Sequence, residues 1–241
     1  MVSGFDRIVI AVPALAGATA DYRQLLGIEP VEVSTSGESP RVWFLLANTV
    51  VELVEAPLDR AAIEGIVFAS ASAGPGETPV ANRRELHLRL CDGRRTATVR
   101  QQCGDIASAQ MQVDHLVLRT GDATDCIALF GHQLGIRLAL DKTVPEWGGR
   151  MLFFRAGKLT LEVIEPSGGQ AAADYFWGIA YQCADLEQLA AQLAARGVKL
   201  SEVRAGRKPG SRVATVKSHG LGIPTLLIES AASAPGGALK P

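Results

Sequence analysis

The sequence predicts an α+β fold in which tandem β-α-β-β-β units pair into two cupped half-barrel sheets. Residues 113–166 contain a strand pattern, a short helical pattern and further strands, and residues 5–55 repeat that order. Asp6-Arg7-Ile8-Val9 matches Asp114-His115-Leu116-Val117, and Leu26-Gly27-Ile28 matches Leu134-Gly135-Ile136. Both matches share one offset (115 − 7 = 135 − 27 = 108). Self-similarity of this kind indicates a duplicated supersecondary unit.

In the first unit, alternating or continuous apolar runs predict the strands. The helix is predicted by apolar residues at helical spacing, which are Ala18, Tyr22, Leu25 and Leu26. A glycine after the helix, Gly27, tolerates the left-handed turn that ends it. Ala47-Asn48 fits a hairpin turn. We predict strands over 5–11, 28–33, 41–46 and 49–54 and a helix over 18–26.

Two more copies complete the chain. One has predicted strands over 177–181, 198–203, 212–217 and 225–229, with a helix capped by Asp185 and ended by Gly197. The other, between 61 and 112, is eroded: strands are predicted over 64–68 and 85–90, and a Ser-, Gly- and Pro-rich stretch replaces the helix. We therefore expect one pair of units over 1–112, a second over 113–230, and a loose tail over 231–241.

Composition narrows the class of protein. The chain is 47% hydrophobic and 20% charged with a net charge of −1, so no basic field favours nucleic acid. No apolar run approaches the roughly 18–20 residues that cross a bilayer, and the first residues do not form a signal peptide. The four cysteines lack C-x-x-C spacing and predict reduced thiols. Reduced thiols favour a cytoplasmic protein, and we further expect a homodimer.

The repeat resembles the vicinal oxygen chelate superfamily of glyoxalases, extradiol dioxygenases, epimerases and bleomycin resistance proteins. The stretches that carry the resemblance are the first strands 5–13 and 113–118, the Leu-Gly-Ile turns at 26–28 and 134–136, the acidic strands 51–55 and 161–165, and the run 179–187. The resemblance implies a cup with a divalent metal at its floor, bound by a His on the first strand of a unit and a Glu on the last.

His115 and Glu162 stand at these ligand positions, and an imidazole with a carboxylate suits Zn, Fe, Mn, Ni or Co. Other positions depart from the pattern: Arg7, Gly65 and Gly178 stand where His is expected, and Leu226 where Glu is expected. Glu52 matches, and we interpret it as the partner of Arg7 in a structural cup.

Two functions of His115 and Glu162 therefore stay open. His115 and Glu162 are predicted either to bind a metal or to act as a general base without one. Strand alternation places Arg119 on the face of His115, as a third catalytic candidate. Alternatively, pairing of units two and three brings His87 to the site as a second imidazole ligand.

Further candidates are predicted to bind substrate. Arg207, Lys208 and Arg212 lie in a Gly- and Pro-shaped loop that suits a carboxylate or phosphate. Trp147 and Arg150 are expected at the rim of the cavity. No phosphate-binding loop, dinucleotide fingerprint or G-x-S-x-G motif occurs.

The resemblance implies a glyoxalase-like enzyme of the lyase, isomerase or dioxygenase type that acts on a small oxygen-bearing substrate. The alternatives are a metal-free binding protein that sequesters a small molecule and a purely structural relic. Bound metal or turnover would favour the enzyme. Binding of a small molecule without a reaction would favour the sequestering protein.

Overall fold

The computed structural model describes residues 1–33, 39–103, 110–168 and 173–230, except for the side chain of Trp147. The elements of the first half, with two helices, are β1 (Val2–Val12), α1 (Leu15–Leu26), β2 (Val31–Val33), β3 (Arg41–Leu45), β4 (Val50–Glu55), β5 (Ala62–Ser70), β6 (Glu77–Pro79), β7 (His87–Cys91) and α2 (Arg94–Cys103). Those of the second half are β8 (Met111–Arg119), α3 (Ala123–Cys126), β9 (Arg137–Val144), β10 (Gly149–Ala156), β11 (Leu159–Pro166), β12 (Tyr175–Cys183), α4 (Leu186–Ala195), β13 (Arg204–Ala205), β14 (Arg212–Thr215) and β15 (Thr225–Glu229).

The strands of each half form one continuous run of the sheet. The first run has the order β2-β3-β4-β1-β5-β7-β6 and the second β9-β10-β11-β8-β12-β15-β14-β13. The two runs meet where Phe176 of β12 pairs with Ile63 of β5. The α+β class and the repeated unit predicted from the sequence are confirmed, whereas the domain boundaries remain a prediction.

Parallel pairing within a unit brings its first and last strands together. In the first unit β1 pairs with β4, and in the third β8 pairs with β11. The leucines of β8, Leu116 and Leu118, are fully buried in the main core with residues of the helices. Because side chains alternate along a strand, His115, Val117 and Arg119 face away from that core, into the concave side of the second half.

Helix α1 ends, and helix α4 begins, at the residue that the sequence predicts. Gly27 follows α1 with φ of 66°. The Asp185 carboxylate accepts a hydrogen bond from the Gln188 N–H and caps α4. α3 continues as a π-helical segment, Ile127–Gln133. No helix in the described ranges is long and apolar enough to cross a membrane.

Two elements differ from the predictions. The sequence does not predict the helix α2, because most of its residues are polar and only Thr96 is buried. The strand predicted over 198–203 is also wrong: this segment makes an isolated bridge from Leu200 to Val216, and the strand β13 begins later. Apolar content at 198–203 reflects packing on the core rather than strand pairing.

A buried ion cluster fills the floor of the first half. The guanidinium of Arg7 forms ion pairs with the carboxylates of Asp6, Glu52 and Glu77, and its Nε lies 2.8 Å from Oε2 of Glu52. Glu52 also accepts a hydrogen bond from the Trp43 indole at 3.1 Å. The expected pairing of Arg7 with Glu52 is confirmed.

The helix α2 lies against this cluster. The Thr96 hydroxyl donates to Asp6 at 2.9 Å, and the guanidinium of Arg95 lies over the Trp43 ring. Arg100 donates hydrogen bonds to the carbonyls of Leu46 and Thr49, in the β3–β4 turn. The concave side of the first half is therefore occupied by groups of the chain itself.

Specific polar contacts hold the two halves together. The Asn48 amide donates to the Val113 carbonyl at 2.7 Å and accepts from the Val113 N–H at 3.1 Å. Arg84 donates two hydrogen bonds to the buried carboxylate of Asp174, and this contact raises the pKa of Arg84. These contacts position β8 and β12, whose residues form the candidate site.

Arg7→Met is expected to destabilise the protein by about 3–5 kcal/mol, because it leaves buried carboxylates without their cation. Urea unfolding followed by circular dichroism measures this loss. The control is Arg94→Met, whose exposed side chain should change the free energy of unfolding by no more than about 0.5 kcal/mol. Equal, small effects of both substitutions would show that the cluster does not depend on Arg7.

Candidate functional site

An irregularity in β8 brings two consecutive side chains to one place. Val113 pairs with Tyr181 of β12 and His115 with Ala180, so Asp114 is an extra residue without a partner. Such a β-bulge redirects side chains that would otherwise alternate across the sheet. As a result, Oδ2 of Asp114 lies 2.7 Å from Nδ1 of His115.

The other imidazole nitrogen faces the neighbouring strand. Nε2 of His115 lies 3.4 Å from Oε2 of Glu162 on β11. The side chains are only 18% and 13% exposed, so both groups are shielded from bulk water but can be reached. The predicted approach of His115 and Glu162 is therefore present, with the carboxylate of Asp114 added on the far side of the ring.

The two carboxylates have opposite electrostatic environments. Burial raises the pKa of Glu162, an effect that the positive charges of His115 and Arg207 oppose. The hydrogen bond with His115 lowers the pKa of Asp114, aided by the charges of Arg155 and Lys208. Asp114 is thus the permanent anion of the cluster, whereas Glu162 binds a proton more readily than an ordinary glutamate.

Three cations surround this cluster. Arg207 and Lys208 lie in the turn between β13 and β14, which is closed by the Gly206 N–H donating to the Ser211 carbonyl at 2.8 Å. Arg155, on β10, is exposed and donates to the Thr160 hydroxyl at 2.7 Å. Thr160 is the register partner of His115. An anionic group can therefore be bound beside the imidazole.

The first half contains the same arrangement with one substitution. Phe5 pairs with Phe68 and Arg7 with Val67, so Asp6 is the extra residue of a bulge in β1. Asp6, Arg7 and Glu52 correspond to Asp114, His115 and Glu162. A guanidinium, permanently charged, replaces the titratable imidazole.

The donor set does not fit the metal that the resemblance implies. A catalytic centre of this type usually has three protein ligands, and among the described residues no group of three or more His, Cys, Asp or Glu side chains is placed to bind an ion. A side chain at 178 has no room, because a Cβ there would lie 2.6 Å from the Pro224 carbonyl oxygen. The positive charges of Arg155, Arg207 and Lys208 would also repel a metal cation.

His87 does not complete the set. It pairs with Glu64, its Nδ1 lying 3.5 Å from Oε1, and the side chain is largely exposed on β7. Its strand pairs with β5 and β6 and belongs to the first half. The alternative in which His87 joins His115 is therefore wrong.

Of the other predicted residues, only some lie near the cluster. Arg119 shares the face of His115 and its guanidinium lies over the Trp177 ring. Arg150 instead binds Asp141 through two hydrogen bonds and Thr124 through a third, on the helix side of the sheet. Arg212 pairs with Glu187 and Glu229, also on the helix side. The side chain of Trp147 lies outside the described part of the structure.

The sequence reading missed two residues. Asp114 was noted only as part of the repeat, although its correspondence with Asp6 was the signal that could have identified it. Arg155 follows two phenylalanines near the end of β10 and carries no motif, so only the strand register places it beside Thr160.

Comparison with known proteins gives a family for this part of the chain. The model of the Glyoxalase/Bleomycin resistance protein/Dioxygenase superfamily matches residues 114–215, which span the cluster and the basic turn. A search of curated proteins found no match.

Solved structures give the fold. A mutant of 4-hydroxymandelate synthase from Streptomyces coelicolor is similar at a TM-score of 0.72 and 14% identity, covering 98% of this chain and 95% of that chain. Methylmalonyl-CoA epimerase from Mycobacterium tuberculosis has a TM-score of 0.40 and 19% identity, covering 49% of this chain and 87% of that chain. The Streptomyces coelicolor methylmalonyl-CoA epimerase, in complex with 2-nitronate-propionyl-CoA, has a TM-score of 0.41 and 23% identity, covering 50% of this chain and 98% of that chain.

The repeated units, the bulged first strands and the 0.72 similarity over nearly the whole chain agree on one architecture. Residues 114–215 match the model of the glyoxalase/bleomycin resistance protein/dioxygenase superfamily, and the chain has the vicinal oxygen chelate fold.

Proposed function

We propose that this chain is an enzyme that transfers a proton on a small, anionic, carbonyl-bearing substrate bound in the cup of the second half, without a metal. The observation that carries the proposal is the cluster of Asp114, His115 and Glu162, with the imidazole between two carboxylates. Isomerisation or epimerisation next to the carbonyl is the reaction class that this set of groups supports best.

In the proposed step, the Glu162 carboxylate removes a proton from the carbon next to the carbonyl. Its raised pKa makes it a stronger base than an ordinary glutamate. His115, with a proton on each ring nitrogen, donates the Nε2 proton to the carbonyl oxygen, and an enol forms. Water then gives a proton to the opposite face of the enol carbon, Glu162 releases its proton to solvent, and the oxygen proton returns to His115, which completes an epimerisation.

The remaining residues bind and orient. Asp114 accepts from Nδ1 and holds the ring with Nε2 toward Glu162, where the substrate carbonyl is proposed to bind. Arg155 and Lys208, whose charges act on Asp114, and Arg207, whose charge acts on Glu162, can bind a carboxylate or phosphate of the substrate. Cytoplasmic localisation and dimerisation remain predictions.

His115→Gln and Glu162→Gln should each lower proton transfer by about 10²–10⁴-fold. Exchange of the substrate C–H with D₂O, followed by proton NMR on a panel of small carbonyl-bearing carboxylates, measures the rate. His115→Arg is the structural control, because the first half tolerates arginine at the corresponding position. It should stay folded and inactive. Binding of a panel member without exchange in the wild-type protein would instead favour the sequestering function.

Arg207→Met should raise the pKa of Glu162 further, because it removes a positive charge that now lowers it. The base must be deprotonated, so the acid limb of the exchange profile should move to higher pH. Carbon-13 NMR titration of the glutamate carboxyls follows the pKa directly. Lys208→Met is the matched control: it should raise the pKa of Asp114 and leave Glu162 nearly unchanged. If both variants shift the same carboxyl, the assignment of Arg207 to Glu162 and of Lys208 to Asp114 is wrong.

Removal of metal should leave exchange unchanged. Protein purified without nickel and dialysed against EDTA is compared with untreated protein, with metal content measured by mass spectrometry on both. Activity that disappears with the metal and returns on adding Zn, Fe, Mn, Ni or Co would overturn the metal-free assignment, because two protein donors would then suffice.

A further inference from the structure

Two aromatic side chains are unusually exposed at the start of β12. Tyr175 is 48% and Trp177 41% exposed, although large aromatic rings are mostly buried in folded proteins. Phe176 pairs with Leu118 and Gly178 with Val117, so Trp177 is the extra residue of another bulge. The bulge directs the indole out of the regular alternation of the strand.

Arg119 fixes this indole on the concave side. Its Cζ lies 5.6 Å from the centre of the Trp177 ring, a cation–π distance. Arg119 follows His115 by four residues on the same strand face, about 13 Å away at 3.3 Å per residue. Within the described ranges no carboxylate forms an ion pair with Arg119, so its contact with the ring is not explained by a structural salt bridge.

The segment that precedes the indole is held firmly. Asp174 accepts two hydrogen bonds from Arg84 and a third from the Thr120 hydroxyl at 3.1 Å. Thr120 directly follows β8, and Asp174 directly precedes β12. The strand ends that carry Arg119 and Trp177 are thus positioned before any ligand binds, which lowers the cost of ordering them.

We propose that Arg119 and Trp177 form a stacking site for an aromatic ring, so that the substrate carries such a ring on the side away from its anionic, reacting end. This inference rests on the proposed function for the position of the anion. The cup then has a charged end at Arg155, Arg207 and Lys208, an apolar wall at Val117, and an aromatic end at Trp177. A ring stacked there gains an aromatic contact that an alkyl chain of equal length lacks.

The test compares two acids of similar length, 4-phenylbutanoate and octanoate, by isothermal titration calorimetry on the full chain. The aryl acid should bind roughly threefold to tenfold more tightly. Trp177→Leu should abolish the difference, and Trp177→Phe should retain most of it. Leu58→Ala, which removes an equally exposed apolar side chain from the first half, should not change it. Equal affinities in the wild-type protein, or a preference that survives Trp177→Leu, would overturn the stacking site.

A second variant separates this result from failure of the proposed function. Lys208→Met should weaken both acids by a similar factor, because it acts on the shared carboxylate. If the ring preference is absent while Lys208→Met weakens binding and C–H exchange depends on His115, the stacking site is wrong and the proposed function stands. If Lys208→Met changes neither affinity and no exchange occurs, the proposed function is also wrong.

Discussion

The parallel pairing of the first and last strands of a unit, combined with a bulge in the first strand, is the constraint on which the site depends. Pairing sets Thr160 and Glu162 beside His115 and Val117. The bulge adds a second carboxylate from Asp114 on the same side of the sheet. A regular strand would send Asp114 to the core, where an unpaired carboxylate is expensive. The distortion of β8 thus makes the three-residue cluster possible.

The same backbone holds two different chemistries in the two halves. In the first, the fixed charge of Arg7 neutralises buried carboxylates, and α2 covers the result. In the second, an imidazole stands at the corresponding position, and Arg207 of the basic turn lies near enough to Glu162 to lower its pKa. Under the proposed function, the difference between the structural ion cluster and the reactive one therefore lies in one side chain and in what covers it. Duplication preserved the geometry and changed the charge.

The sequence predicted the fold well, because its signals are local and repeated. Helix ends at Gly27 and Gly197 and the Asp185 cap follow from spacing and periodicity. The approach of His115 to Glu162 follows from the ligand positions that the resemblance implies. The basic turn was recognised, yet its residues divide between faces: Arg207 and Lys208 lie near the cluster and Arg212 pairs with Glu187. Which face a residue takes depends on register and bulges, which are properties of strand pairs. For the same reason Arg155 was missed and Arg150 was placed at the rim.

The occupied first cup has a consequence for how the protein can respond to ligand. A duplicated chain with two open cups would offer two sites that could communicate through the shared sheet. Here the first cup is closed by the Arg7 cluster and α2, which leaves one candidate site in each chain under the proposed function. Saturation is then expected at one molecule per chain. Under that proposal, a sigmoidal response to ligand concentration would have to arise between separate chains.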